Sequence, residues 1–174
     1  MGALGGFFQP RKAPTKKECL GNVTAYYLGH YESYGLNCQV ACDANLRFFF
    51  FGVAGPGKTN DNVAFPRCVE LYATIMALPS GLYFLGDAAY DLCENLLVPF
   101  TGFQQANADN DAFNFYLSQL RIRIEMAFGR FLCKFCILKC KLECKLATSS
   151  KILMAFAKLH NYVIDYQLME KRQQ

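Results

Sequence analysis

The sequence lacks a long hydrophobic run, and its longest one, around residues 48–51, is too short to cross a lipid bilayer. It also lacks the charged segment, apolar stretch and cleavage site that mark a secretory signal peptide. No internal repeat or low-complexity segment is visible. These absences argue against a membrane-spanning or secreted protein, and they predict an intracellular protein with no membrane partner.

Charged residues are sparse as well. Only 18% of the residues are charged and 53% are hydrophobic, which is typical of a globular chain and not of a disordered one. The 174 residues suit a single domain with a substantial core. The net charge of +4 favours a polyanionic partner only weakly, because many ordinary enzymes carry a similar charge.

Nine cysteines are present, and this odd number without a signal peptide predicts reduced thiols instead of a disulfide framework. Four of them recur at i, i+3, i+7 and i+11: Cys133, Cys136, Cys140 and Cys144. Four thiolates can hold zinc, but one straight stripe of a continuous helix cannot surround an ion, so the spacing favours cysteines packed on a core face. The interleaved basic residues suit either a DNA backbone or a solvated helix face: Arg130, Lys134, Lys139, Lys141 and Lys145.

Hydrophobic periodicity divides the chain into strands and helices. The predicted strands are residues 3–8, 35–42, 47–53 and 82–85, with a hairpin between the second and third and residues 48–51 in a central strand. The predicted helices run from Thr59 or Asn60 toward Leu78, over residues 112–134, and from a cap at Ser149 or Ser150 to about Lys171. Residues 107–111 are predicted to be a polar surface loop. This order indicates an α/β domain with a mixed sheet flanked by helices.

Two carboxylates stand out by their setting. Asp87 follows a hydrophobic strand, where open α/β sheets present ligand-binding groups, and Glu125 lies at the edge of the apolar face of a helix. Paired carboxylates of this kind hold divalent cations in two-metal phosphoryl transfer. The alternative is that Asp87 is a turn residue and that Glu125 pairs with Arg121 on a solvated helix face.

Five blocks of sequence favour the metal-binding interpretation of these carboxylates. They are GLNCQVACD at residues 35–43, PGKTND at 56–61, LGDAAY at 85–90, RIEMAFGR at 123–130 and LHN at 159–161. Together and in this order they resemble the nuclease domain of PIF/Harbinger-type DDE transposases. The resemblance implies an RNase H-like fold, a nuclear location, DNA as the partner, and three acidic residues that bind Mg²⁺ or Mn²⁺ for strand cleavage and transfer.

The same resemblance assigns the acidic residues by position. Asp87 matches the second acid, Glu125 matches the final glutamate, and Asp61 matches an aspartate that supports the site or contacts metal. The first acid of the family is replaced by Gly5, in the segment GALGG at residues 2–6. A glycine has no side chain to ligate a cation, so the resemblance implies a copy with impaired or absent cleavage.

The domain is expected over residues 1–165, truncated at its N-terminus, with 166–174 as a C-terminal tail. A homo-oligomer or a separate DNA-binding partner is left open.

Two other functions stay open. One is a non-catalytic DNA- or protein-binding module of transposase origin. The other is a P-loop nucleotide binder, because residues 52–59 match G-x-x-x-x-G-K-[ST] and residues 82–87 resemble a Walker-B strand. Pro56 argues against the P-loop, since it has no N–H to offer a phosphate. His160 is predicted to be a structural residue and not a ligand.

Overall fold

The computed structural model describes residues 2–173, so Met1 and Gln174, the ends of the predicted domain and tail, lie outside the described residues. Six strands form one mixed sheet: β1 (Gly2–Arg11), β2 (Tyr27–Leu28), β3 (Ser33–Cys42), β4 (Phe48–Pro56), β5 (Phe84–Leu85) and β6 (Leu96–Leu97). Four α-helices accompany it: α1 (Asp61–Arg67), α2 (Val69–Met76), α3 (Ala108–Lys134) and α4 (Leu146–Gln173).

The strand order places β1 at the centre of the sheet. β3 pairs antiparallel with β1, and both β2 and β4 pair antiparallel with β3. On the other side of β1, β5 and β6 follow as parallel strands. The predicted fold class is confirmed: this is an α/β domain consistent with an RNase H-like fold.

Each face of the sheet has its own core, because successive strand residues point to opposite faces. On one face Ala3 and Phe7 pack with α3 and α4, where Phe131 is fully buried. On the other face Leu4 packs with α1 and α2 around Leu71. Each such large side chain contributes about 1.5–3 kcal/mol on burial. The two helical layers therefore hold β1 rigidly between them.

The predicted position of residues 48–51 and the predicted loop at 107–111 are both wrong. Within residues 2–173, β4 pairs only with β3, so it is an edge strand and not a central one. Residues 108–111 form the first turn of α3, because Asn107 Oδ1 accepts the N–H of Asp109 at 3.0 Å and caps the helix. The acidic residues of that turn also complement the positive end of the helix dipole.

Two helix boundaries differ from the prediction as well. The helix expected to run toward Leu78 is interrupted at Cys68, which separates α1 from α2. The last helix begins at Leu146, ahead of the predicted caps Ser149 and Ser150, because Glu18 Oε1 accepts the N–H of Leu146 at 2.9 Å. That bond, with others from Thr15, lowers the pKa of Glu18 to about 2.

The cysteine stripe does not lie on a continuous helix. α3 ends at Lys134, a 3₁₀ turn covers Cys136–Lys139, and Leu142 then bridges to Arg11 of β1. Three of the four cysteines are exposed, so the core-face prediction is wrong for Cys133, Cys136 and Cys140. The described residues contain no group of three or more His, Cys, Asp or Glu side chains placed to hold a metal ion.

The LHN block joins α4 to the start of β4. His160 is buried, stacks on Phe48 with ring centroids 4.3 Å apart, and donates from Nε2 to the Leu46 carbonyl at 2.8 Å. Asn161 Oδ1 accepts the N–H of Phe48 at 2.8 Å, and its Nδ2 donates to the Phe48 carbonyl. This geometry agrees with the structural role predicted for His160. In the described part of the chain, no helix combines the length and the hydropathy that a membrane span requires.

Candidate active site

Gly5 lies on the central strand β1, and Asp87 follows the neighbouring strand β5 by two residues. The parallel register of β1 and β5 pairs Gly2 with Phe84 and Ala3 with Leu85. The same offset, continued past the end of β5, brings Gly5 level with Asp87. Asp87 is half-buried, and its Oδ1 accepts the N–H of Ala89 at 2.9 Å in a tight turn.

Helix α3 crosses β1 at the same level. A Cβ built on Gly5 would lie 3.1 Å and 3.3 Å from Cγ1 and Cγ2 of Ile124, the residue before Glu125. Glu125 itself points outward with 55% of its side chain exposed, and its Oε1 is 2.8 Å from Arg121 Nη2. The ion pair between Arg121 and Glu125, considered as the alternative from the sequence, is thus present on α3.

Asp61 lies elsewhere, on the opposite face of β1. Its Oδ1 accepts hydrogen bonds from Asn37 Nδ2 at 2.8 Å and from Gln39 Nε2 at 2.9 Å. Gln39 Oε1 in turn accepts the O–H of Tyr90 at 2.8 Å. Burial, followed by the nearby carboxylates of Asp61 and Asp87, raises the pKa of Tyr90, so the phenol stays protonated and remains a donor.

Gly6 makes room for this network. A Cβ on Gly6 would lie 2.5 Å from both carboxylate oxygens of Asp61. Sequence reasoning missed Gly6, and also Asn37, Gln39 and Tyr90, as site residues. All four lie in the segments already singled out, so their common membership in those segments was the available signal.

The three predicted acids do not form one metal centre. Asp61 accepts hydrogen bonds from two amides, Asp87 accepts the N–H of Ala89 in a turn, and Glu125 is paired with Arg121 on the exposed side of α3. Among residues 2–173 no cluster of three or more potential ligands is found. Within residues 2–173 the side chains therefore do not fit a divalent metal site of three carboxylates.

The P-loop interpretation is wrong. Residues up to Pro56 belong to β4 and pair with β3. The N–H groups that follow are bonded to protein carbonyls: Gly57 to Gly35 at 2.9 Å, Lys58 to Ala25 at 3.0 Å and Thr59 to Pro56 at 2.9 Å. A nucleotide-binding loop must offer such donors to phosphate, and here they are already used.

Comparison with known proteins supports the resemblance to DDE nucleases that the five sequence blocks carry. No curated protein and no solved structure matches the sequence. A family described as DDE superfamily endonuclease matches residues 4–161, which include Gly5, Asp61, Asp87, Glu125 and the LHN block. The matched region covers most of the chain, so this protein belongs to the DDE superfamily endonuclease family.

Proposed function

We propose that this chain is the nuclease domain of a PIF/Harbinger-type transposase that no longer cuts DNA. The proposal is supported by the contact of Ile124, the neighbour of Glu125 on α3, with the space above Gly5, and by the parallel pairing of β1 with β5, the strand that precedes Asp87. Gly5, Asp87 and Glu125 are the three positions at which the resemblance expects acids. The ancestral reaction is cleavage and strand transfer of nuclear DNA.

In the proposed ancestor, acids at positions 5, 87 and 125 would hold Mg²⁺ or Mn²⁺, which would supply the Lewis-acid chemistry of phosphoryl transfer. Asp87 and Glu125 are the surviving ligands in this proposal. Gly5 contributes no oxygen, and Glu125 is paired with Arg121. We therefore assign no cleavage step to the chain as it stands.

Asp61 has a supporting role in the proposal. Through Gln39 it fixes the hydroxyl of Tyr90, which closes the turn that begins at Asp87. The backbone N–H of Tyr90 also bonds to the Asp87 carbonyl at 3.3 Å. Asp61 would thus hold the Asp87 turn in place without contacting the metal itself.

A non-catalytic DNA-binding module is the second candidate. It is favoured by the lack of a three-ligand metal group in residues 2–173. In that case the fold would present a surface for DNA, alone, as a homo-oligomer or with a DNA-binding partner.

The decisive experiment is nicking of supercoiled plasmid in Mn²⁺. Four chains are compared: the natural sequence, Gly5→Asp, Gly5→Asn as the uncharged control of the same shape, and Gly5→Asp with Glu125→Gln. We expect nicking by Gly5→Asp alone, because only this variant supplies three carboxylates.

Circular dichroism checks that each variant is folded. Nicking by the natural chain would show that this copy is active after all. A folded but silent Gly5→Asp variant would argue against the site assignment and in favour of the binding module.

A further inference from the structure

A concave surface beside α1 has an unusual set of side chains. This cavity of about 360 Å³ is lined by Ala25, Lys58, Thr59, Asn60, Val63 and Arg67. Two of the lining residues are cations, and none is acidic. Lys58 and Thr59 belong to the PGKTND segment, whose resemblance to a P-loop the backbone hydrogen bonds have excluded.

Gly55 of β4 lies against two of the side chains that line this cavity, Thr59 and Arg67. A Cβ built on Gly55 would lie 3.2 Å from Thr59 Oγ1 and 3.3 Å from Arg67 Nη1. The hydroxyl and the guanidinium nitrogen therefore converge on one point above β4. Any larger residue at position 55 would fill that point.

The two cations are not neutralised by the protein. The ion pairs in residues 2–173 are Arg47–Asp165 and Arg121–Glu125, so neither Lys58 nor Arg67 has a carboxylate partner there. The acid nearest to Lys58 in sequence, Asp61, turns its carboxylate toward Gly6, where Asn37 and Gln39 bind it. The lining of the cavity thus carries positive charge and hydrogen-bond donors, and none of its side chains is acidic.

An ammonium, a guanidinium and a hydroxyl together match the oxygens of a phosphate group, which accept several hydrogen bonds and carry negative charge. We propose that Lys58, Thr59 and Arg67 bind a backbone phosphate of DNA. This inference rests on the proposed function for its ligand. Because the backbone N–H groups of residues 57–59 are used within the protein, side chains alone make the contact.

The position of this site suits a nucleic-acid strand. The cavity shares Lys58, Thr59 and Asn60 with a larger cleft of about 570 Å³ beside Asp61. That cleft also contains the stacked rings of Phe8 and Tyr31, whose centroids are 4.8 Å apart. A strand anchored at Lys58 and Arg67 would pass over this cleft, where aromatic rings can contact bases.

The first test uses inorganic phosphate as the probe. In ¹⁵N NMR spectra of the natural chain, we expect phosphate to shift the backbone amides of Lys58 and Thr59 and the side-chain Nε of Arg67. The Gly55→Ala variant should weaken these shifts, because its methyl group would press on Thr59 Oγ1 and Arg67 Nη1, which lie 3.2 Å and 3.3 Å from that position. If the natural chain shows no shifts at these residues, the phosphate site is overturned, irrespective of the affinity of the chain for DNA.

The second test measures affinity for a short DNA duplex over a series of salt concentrations. Lys58→Ala with Arg67→Ala is compared with Lys151→Ala with Lys158→Ala, which removes the same charge from an α4 cavity of about 360 Å³. We expect the slope of log K against log salt to fall by about 1 in the first pair only, as for one lost phosphate contact.

Equal slopes in both variant pairs would overturn the DNA contact. Phosphate shifts without any DNA binding would leave the site as one for free phosphate and would instead contradict the proposed function.

Discussion

Gly5 and Gly6 are neighbours on β1 but face opposite sides of the sheet, so different side chains lie against them. The Asp61 carboxylate occupies the space that a side chain at Gly6 would need. A Cβ at Gly5 would meet only carbon atoms, those of Ile124 at 3.1 Å and 3.3 Å and of Phe128 at 3.5 Å. We therefore expect the larger structural penalty for a side chain at Gly6, whereas Gly5 is the position at which we propose that an ancestral acid was lost.

A matched pair of substitutions tests this difference. Gly6→Ala should lower the free energy of unfolding by about 1–3 kcal/mol, as overpacking does, because its Cβ would meet both Asp61 oxygens. Gly5→Ala should cost clearly less. Urea unfolding of both variants measures the difference, and Asp61→Ala should relieve most of the Gly6→Ala penalty. Equal losses at the two positions would contradict the assignment.

His160 gives a prediction about pH. Burial lowers the pKa of His160 below its ordinary value of 6.5, so the folded protein prefers the neutral ring. A base with a lowered folded pKa adds stability above its unfolded pKa, and that stability is lost as pH falls below 6.5 toward the folded pKa. His160→Phe keeps the ring stack but cannot titrate.

We therefore expect the free energy of unfolding to fall more in the natural chain than in His160→Phe between about pH 7 and pH 5. Urea unfolding at both values measures it. An identical pH dependence in the two chains would show that His160 does not contribute.

At this scale the sequence predicted the location of Asp87 and Glu125, because a strand end and a helix face are local patterns. It could not predict the partners of Asp61. The hydrogen bonds of Asp61 reach residues 24 and 22 positions away, and the bond between Tyr90 and Gln39 spans 51 positions. Only the folded sheet brings these residues together.

Among the elements, the connector between α3 and α4 depends most on buried polar groups. Gln9 Nε2 donates to the carbonyls of Leu138 at 3.1 Å and Cys140 at 3.3 Å, and Arg11 Nη2 donates to the Cys144 carbonyl at 3.1 Å. Side chains of β1 therefore hold the connector by binding its backbone carbonyls. This explains why the connector leaves the helical path that its cysteine spacing indicates.

Replacing Gln9 by leucine should leave the Leu138 and Cys140 carbonyls without a donor. We expect a loss of about 1–3 kcal/mol in the free energy of unfolding, the cost of unpaired buried polar groups. Hydrogen exchange should accelerate at residues 136–145 before the rest of the fold. Exchange that accelerates equally throughout the chain would contradict a local role for Gln9.

Hydrophobic periodicity predicted β1, the β3–β4 hairpin, α3 and α4, because each buries a regular apolar face. It failed where polar contacts decide the structure. The first turn of α3 has a cap and acidic residues but no apolar repeat, and α4 begins early because Glu18 from a distant loop caps it. Edge or central position of β4 depends on pairing between strands, which no single strand encodes.

For the whole molecule, folding and cleavage rest on different residues. Apolar clusters on both faces of the sheet stabilise the domain, and neither includes Asp61, Asp87 or Glu125. Gly5 allows α3 to pack closely on β1 at Ile124. The loss of an acid that we propose for position 5 is therefore compatible with an intact fold, and we expect the natural chain to fold cooperatively without metal.

The central claim is that Gly5 stands where the first metal ligand belongs. Mn²⁺ affinity, measured by electron paramagnetic resonance, tests it without requiring activity. We predict that Gly5→Asp binds Mn²⁺ at least about 10-fold more tightly than the natural chain or Gly5→Asn, since even outer-shell partners are worth about 10–100-fold. Asp87→Asn or Glu125→Gln should abolish the gain. No gain in a folded Gly5→Asp protein, or a gain that survives both substitutions, would contradict the account.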